Sequence, residues 1–404
     1  MPLTVPLDDA TPAHGGKAAA LGALRRAGLP VPDGFVVPAG IAHADLPDAV
    51  AAGTAALAAR VDVPADAPVA VRSSAADEDG AHASAAGQYD SVLGVAAVER
   101  VVDAVAACRA SATGPRATAY RAATAGDPGR SDVSVIVQRM VDARAAGVLF
   151  TGDGRTVVEA SWGLGESVVQ GAVDPDRWTV MLGPVDGGRV VERVTGSKRT
   201  RVDLSPGGPT TRDVPASDRD RPCLDDETVL RLAGLGATVA ALRGGPQDVE
   251  WAVDDAGTIW LLQARPVTAA LPSPERCERD FGDNSRPNSP RNRAHNTSVV
   301  ALRGTGASGG RASGPARVVH GPDDFGTVRP GDVLVCRETD PAWTPLFGVV
   351  AAVVTETGGL LSHAAIVARE LGLPAVLGVP DATAVLRDAG RVTVDGDAGD
   401  VRPA

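Results

Sequence analysis

Short apolar runs punctuate the first two-thirds of the chain, at residues 69–71, 133–137 and 259–262, and alanine-rich stretches separate them. Runs of this length bounded by polar turns read as buried strands, and the stretches between them as helices, an α/β (α+β) pattern. Late in this part the pattern alternates, with Asp248 and Glu250 on either side of Val249, and Gln263 and Arg265 on either side of Ala264. Residues two apart on a strand share a face, so a hairpin here gathers Asp248, Glu250, Gln263 and Arg265. Apolar residues then thin out, and Pro, Asn, Ser and Arg dominate a linker. Valine-rich runs resume at 316–319, 332–336 and 349–354, and a glycine-rich loop leads into an alanine-rich helix over 364–371 that Gly372 stops. The expected organisation is a large domain over 1–270, a linker over 271–305 and a small domain over 306–404. There is no internal repeat or coiled-coil heptad, and the abundance of alanine blurs the helical period, so segment bounds are soft.

Composition narrows the functional classes. A chain of 404 residues, 44% of them hydrophobic, buries at least two cores. A net charge of −11 argues against non-specific nucleic-acid binding, which needs a basic surface to displace counterions. Cys108, Cys223, Cys277 and Cys336 are widely spaced without a CxxC pair, so neither a zinc site nor a disulfide framework is indicated, and a reducing cytoplasm fits. The first residues show no basic segment followed by an apolar core, and no uncharged run reaches membrane-spanning length. A soluble, unprocessed, cytoplasmic protein without a membrane partner is expected.

Three places carry chemistry. His363 falls where the loop containing Thr357, Gly358, Gly359 and Ser362 becomes a helix. Unpaired N–H groups and the positive end of the helix dipole point there, which suits a phosphoryl group on the imidazole. A lone Ser-His pair would more often be an N-cap followed by an exposed residue. Lys17, after Gly15 and Gly16, stands at the start of a helical stretch, and Arg72 ends a strand, where a guanidinium can grip phosphate oxygens. A surface pairing of Arg72 with Asp77 or Glu78 is the plainer alternative. On the hairpin, the oxygens of Asp248, Glu250 and Gln263 suit Mg²⁺, and Arg265 suits the charge on a terminal phosphate.

The stretch TETGGLLSHAAIVARELGLPAVLGV, residues 355–379, resembles the phosphohistidine signature of the phosphoenolpyruvate synthase and pyruvate phosphate dikinase family. Four further blocks are similar to the same family in the family's order: HGGKAAALGALRRAGLPVPDGFVV, VAVRSSAADEDGAHASAAGQYDSVLGV, VSVIVQRMVDARAAGVLFTGD and DVEWAVDDAGTIWLLQARPVT. The resemblance implies a two-lobed N-terminal ATP-grasp module and a small C-terminal swivelling β/β/α domain carrying a phosphohistidine. It implies ATP and Mg²⁺ as cofactors and His363 as the phosphoryl carrier. Lys17, Arg72 and, in RATAYR, Arg116 would meet ATP phosphates. Gln138, Met140 and Val141 would supply the hinge beside adenine, and Glu159 and Gln170 would contact the nucleotide or order its loop. Asp248 and Arg265 would complete the ATP site, with Arg265 also catalytic and Glu250 and Gln263 on the metal. Trp162 and Met140 read as ordinary core residues rather than stacking partners.

Leu361 stands where the dikinases carry threonine two residues before the histidine, which the rifampicin phosphotransferase branch tolerates. The chain therefore looks closer to that branch. It contains no segment resembling the barrel or drug-binding domain that would hold an acceptor. The expected activity is a dikinase-type phosphotransfer to a small molecule, bound directly or brought by a separate acceptor-binding protein. A regulatory nucleotide-binding homologue and an ATP-grasp ligase are the alternatives, and AMP rather than ADP as product separates the dikinase from the ligase.

Overall fold

Two sheets of the N-terminal part contain the apolar runs at residues 69–71, 133–137 and 259–262. The computed structural model describes residues 3–64, 66–75, 91–111, 133–183, 188–271 and 301–404. It divides into two units, Met1–Val169 with Pro175–Thr268, and Gln170–Asp174 with Ala269–Ala404.

In the first unit, strands β1 (Val5–Pro6), β2 (Gly34–Val37), β3 (Val69–Ala75), β4 (Ser91–Val95) and β5 (Val133–Arg139) form an antiparallel sheet in the order β1-β2-β5-β3-β4. Val69 and Val71 of β3 pack with Phe35, Val37 and Val137 against the apolar faces of helices Leu46–Val61 and Val98–Ser111. Alternation then turns Arg72 and Ser74 to the opposite face. A second antiparallel sheet contains β6 (Ala143–Gly152), β7 (Arg155–Trp162), β8 (Asp176–Met181), β9 (Arg189–Val194), β12 (Gln247–Asp254) and β13 (Ile259–Pro266), ordered β13-β12-β6-β7-β8-β9. Strands β10 (Thr200–Ser205) and β11 (Gly208–Asp213) make a separate ribbon.

Helix Asp226–Arg243 covers one face of the six-stranded sheet. Its start is capped by Asp225, whose side chain accepts from Thr228 N, and its end by left-handed Gly244. Leu149, Val158, Trp178, Trp251 and Leu261 fill the core on that side. Trp251 is fully buried, and truncating it to alanine would cost about 3–5 kcal/mol. Helix Gly16–Arg26 packs Ala18, Leu21 and Leu24 into the same core and also touches β3 and β13, so it joins the two sheets. The opposite face of the six-stranded sheet is left for Asp248, Glu250 and their neighbours.

The second unit is an eight-stranded sheet of β14 (Leu302–Arg303), β15 (Thr305–Ser308), β16 (Arg311–Val318), β17 (Val333–Cys336), β18 (Ala352–Thr355), β19 (Ala375–Leu377), β20 (Arg391–Asp395) and β21 (Asp400–Pro403), ordered β14-β21-β20-β16-β17-β18-β19-β15. β16 to β19 pair in parallel and the remaining neighbours antiparallel. β17 and β18 are buried on both faces, one packing with Trp343, Phe347 and Ala365 and the other with Leu386 and Val392. That explains their continuous apolar runs.

Three readings of the sequence need correction. Residues 302–305, assigned to the linker, pair into the sheet, because β14 lies against β21 and β15 against β19. Gln170–Asp174 groups with the second unit rather than the first. The strand expected over 349–354 begins only at Ala352; Val349 and Val350 donate their amides to Leu346 O to close the turn after helix Thr344–Phe347, which leaves Val349 exposed. Cys108, Cys223 and Cys336 are buried, and Cys277 lies outside the described residues. No helix among the described residues is long and apolar enough to cross a membrane.

Candidate functional site

The hairpin of β12 and β13 pairs Asp248 with Arg265 and Glu250 with Gln263. The register then shifts, so that Trp251 faces Leu261 and Leu262 is an extra residue. Such a bulge frees a carbonyl from the ladder and re-aims side chains. Arg72, inside β3 rather than at its end, reaches across from the other sheet and uses that opening. Its Nη1 donates to Leu262 O at 2.8 Å, while Nη2 donates to Glu250 Oε2 at 2.8 Å and to Gln263 Oε1 at 2.7 Å. Arg265 directs Nε and Nη2 onto Asp248 Oδ2, both at 2.7 Å. Lys17, in the first turn of helix Gly16–Arg26, is buried. Burial alone would push the Glu250 carboxyl up, but Arg72, Arg265 and Lys17 outweigh it and hold Glu250 below its ordinary value. Lys17, Arg72, Asp248, Glu250, Gln263 and Arg265 therefore form one electrostatic cluster.

The cluster has a member that sequence reasoning missed. Glu166 opens the short helix Glu166–Val169 and feels both Arg72 and Glu250. Burial pushes its carboxyl up; Arg72 opposes that and Glu250 adds to it. The available signal was GLGE, residues 163–166, in which an acidic residue follows a glycine turn at a helix start.

Other candidates are placed differently. Glu159 on β7 is fully buried, and the register runs from Glu250 through Val148 to Glu159. That separates the two acids by two strand spacings, about 10 Å. Helix Glu166–Val169 packs on β6 and β7, the strands that carry Val148 and Glu159. Gln138 lies within β5 and donates Nε2 to Pro32 O at 2.8 Å, so its side chain serves the fold. Met140 N is engaged by Pro68 O. Met140 and Val141 join Leu93, Leu164, Val202 and Leu262 in an apolar cluster beside the Arg72 contact at Leu262. Trp162 is in the core, with Nε1 donating to Asp218 O. Gln170 is exposed and belongs to the second unit, and Arg116 lies outside the described residues.

The donors available to a metal fit Mg²⁺. Glu250 Oε2 and Gln263 Oε1 converge on a single guanidinium nitrogen, so both already aim at one cationic point. Asp248 is committed to Arg265. Among the described residues there is no metal-holding group of three or more His, Cys, Asp or Glu. Two protein oxygens suit a cation that keeps waters and takes its other ligands from nucleotide phosphates.

In the second unit, His363 is the first residue of helix His363–Glu370. Ser362 holds the extended N-cap conformation, yet its Oγ donates to Gly359 O at 2.9 Å and does not cap the first turn. His363 is only 4% exposed, unlike the exposed residue that a lone Ser-His pair would give. Its Nε2 stands 3.4 Å from Thr344 Oγ1, which donates to Pro341 O at 2.9 Å. Thr357 Oγ1 donates to Gly171 O at 2.7 Å, and Gly358 follows at φ +116°, a conformation that side chains rarely adopt. Leu361 is buried, an apolar core contact where a threonine would place a hydroxyl.

Comparison with known proteins matches both units. Residues 40–280 match the family described as pyruvate phosphate dikinase, AMP/ATP-binding domain, and residues 328–399 match the PEP-utilising enzyme, mobile domain. A probable phosphoenolpyruvate synthase of Methanothermobacter thermautotrophicus is 34% identical over 95% of this chain and 60% of its own length. A second, of Archaeoglobus fulgidus, is 35% identical over 96% of this chain and 56% of its own. The phosphoenolpyruvate synthase of Escherichia coli is 37% identical over 83% of this chain and 43% of its own. The chain thus spans about half the length of the curated relatives it matches.

Proposed function

The chain belongs to the phosphoenolpyruvate synthase and pyruvate phosphate dikinase family, and we propose that it carries out the ATP-dependent half of a dikinase reaction with His363 as the carrier. The observation that carries this reading is Arg72 spanning from β3 to Glu250, Gln263 and the bulged Leu262 carbonyl. One guanidinium there ties the two sheets together at a point where Lys17 and Arg265 also act on Glu250. The apolar cluster around Met140, Val141, Leu164 and Leu262 offers a dry surface for the base, next to cations for the phosphates.

Lys17, Arg72 and Arg265 would bind the phosphate chain and stabilise the charge that builds up on it. One imidazole nitrogen of neutral His363 attacks the β-phosphorus. The bond from that phosphorus to the oxygen bridging the α-phosphate breaks, AMP leaves with the oxygen, and a pyrophosphoryl-histidine remains. Water or inorganic phosphate then takes the terminal phosphoryl group, leaving phosphohistidine. Mg²⁺, held by Glu250 and Gln263, would supply charge neutralisation across the phosphate oxygens. Delivery to a small-molecule acceptor, bound directly or on a separate protein, requires the carrier unit to swivel. The Pro-, Asn- and Ser-rich connecting sequence suits a tether.

The test is incubation with Mg²⁺ and ATP labelled at the β-phosphate. Acid-labile label on the wild type, its absence on His363→Ala, and release of AMP are expected. Release of ADP without label on the protein would overturn the dikinase reading in favour of a ligase.

A further inference from the structure

We propose that Ser74 is a positioning residue for Lys17: its hydroxyl, presented by β3 two residues after Arg72, supplies the helix cap that Gly15 lacks. This rests on the reading above, in which Lys17 and Arg72 bind ATP phosphates.

The first N–H groups of a helix have no partner within it, and the residue before the helix normally supplies a side-chain oxygen. Helix Gly16–Arg26 begins after Gly15, which has no side chain to offer. Instead Ala18 N, at the third helical position where a cap normally bonds, donates to Ser74 Oγ at 3.0 Å in a buried bond spanning 56 residues of sequence. The neighbouring contact is just as close. A Cβ built on Gly15 would lie 2.2 Å from Ser74 O, so the helix start rests on the β3 backbone with no space between them. Gly15 is at φ +91°, a second reason for glycine there. Lys17 lies between these two attachments, and both are to Ser74.

Ser74 and Arg72 share a face of β3, about 7 Å apart along the strand. Ser73 between them turns the other way. One short strand segment therefore sets the position of both cations: Arg72 by its own backbone, Lys17 through the Ser74 cap. Both cations act on the same carboxylate, Glu250. One strand thus sets the spacing of the two backbone positions from which the lysine and arginine side chains extend.

The test uses the full chain and four proteins: wild type, Ser74→Ala, Ser74→Thr and Gly15→Ala. Hydrogen exchange of the Ala18 amide in the nucleotide-free protein reports the cap directly, and calorimetric titration with ATP and with AMP reports the clamp. Protection of Ala18 is expected in wild type and Ser74→Thr and its loss in Ser74→Ala. ATP affinity should fall roughly five- to tenfold in Ser74→Ala, the size of a lost cap, with AMP affinity unchanged and Ser74→Thr restoring ATP binding. Gly15→Ala should show the same selective loss with the hydroxyl still present, and it decides the matter should Ser74→Ala not fold. An unprotected Ala18 amide in the wild type, an equal loss of ATP and AMP affinity, or failure of Ser74→Thr to rescue would overturn the proposal. A wild type that binds ATP no better than AMP would instead refute the phosphate-binding reading, while Ala18 protection would still report the cap.

Discussion

Two groups of buried charge in the first unit differ: one is closed on itself, and the other stays partly open to solvent. Lys198 and Asp176 have fully buried side chains and answer each other completely. Lys198 Nζ donates to Asp176 Oδ1 at 2.5 Å, Gly196 O at 2.8 Å and Arg219 O at 2.9 Å, which uses all three of its protons. Asp176 also accepts from Gly196 N at 2.9 Å and Cys223 N at 2.7 Å. This closure holds Lys198 at φ +38°, a left-handed backbone that a lysine adopts only when its surroundings over-determine it. Around Arg72 the situation differs: Lys17, Arg72 and Arg265 converge on Asp248 and Glu250, and Glu166 is pushed toward its neutral form by burial. Glu250 keeps 21% of its side-chain surface open. Saturated charge pins three chain segments together, whereas charge that is still partly open to solvent leaves room for the phosphates of the proposed function.

The largest effect should follow from breaking the closed pair. Asp176→Ala leaves Lys198 buried and unpaired, with an expected loss of about 3–5 kcal/mol and a fall in Tm of about 10 °C. Joint replacement by Lys198→Met and Asp176→Leu should recover most of it, because no stranded charge remains. A shift of the single variant below about 3 °C in thermal unfolding would mean that the pair is not structural. Arg72→Gln should behave in the opposite way. His363 labelling from ATP is expected to slow about 10²–10³-fold, while Tm moves far less than in Asp176→Ala. If Arg72→Gln unfolds as readily as Asp176→Ala, the distinction between the two networks is lost.

Much of the open network was legible in the sequence, and the closed one was not. Asp248, Glu250, Gln263 and Arg265 stand two apart on adjacent strands, and period-two alternation is a local signal. The Arg72 contact was out of reach of such reasoning, since it depends on a bulge at Leu262 that shifts the register by one residue. Lys198 and Asp176 lie 22 residues apart and meet Arg219 and Cys223 only through the folded path of the chain. Nothing periodic marks them. Gln138 carries a contact that no local pattern announces: its side-chain amide donates to Pro32 O, 106 residues away in the sequence. The bounds at residues 302–305 and 349–351 failed because edge pairing and the turn after Phe347 depend on partners elsewhere in the sheet and the preceding helix.

The smallest expected effect, and the one that sharpens the comparison most, is the pH dependence of two carboxyls in the open network. Glu166 has a folded-state value above its ordinary 4.5, with burial the main cause. Well below that ordinary value the carboxyl is neutral in both states and makes no difference. As pH rises, the unfolded chain ionises first, so the folded state carries a penalty that is complete only above the raised value. Glu166→Gln should therefore raise Tm at pH 7, on the order of 1–2 °C, with the gain vanishing as pH falls below about 4. Glu250 is held below its ordinary 4.5 because its cations outweigh the burial that opposes them. Its contribution is present above that value and is lost as pH falls through the folded one, so Glu250→Gln should lower Tm at pH 7 by an amount that shrinks as pH falls below the ordinary value. Tm profiles of wild type and the two variants should thus diverge in opposite directions with rising pH. Parallel profiles, or a Glu166→Gln protein less stable at pH 7, would show that Glu166 is paired like Asp176 and belongs to the closed kind of network.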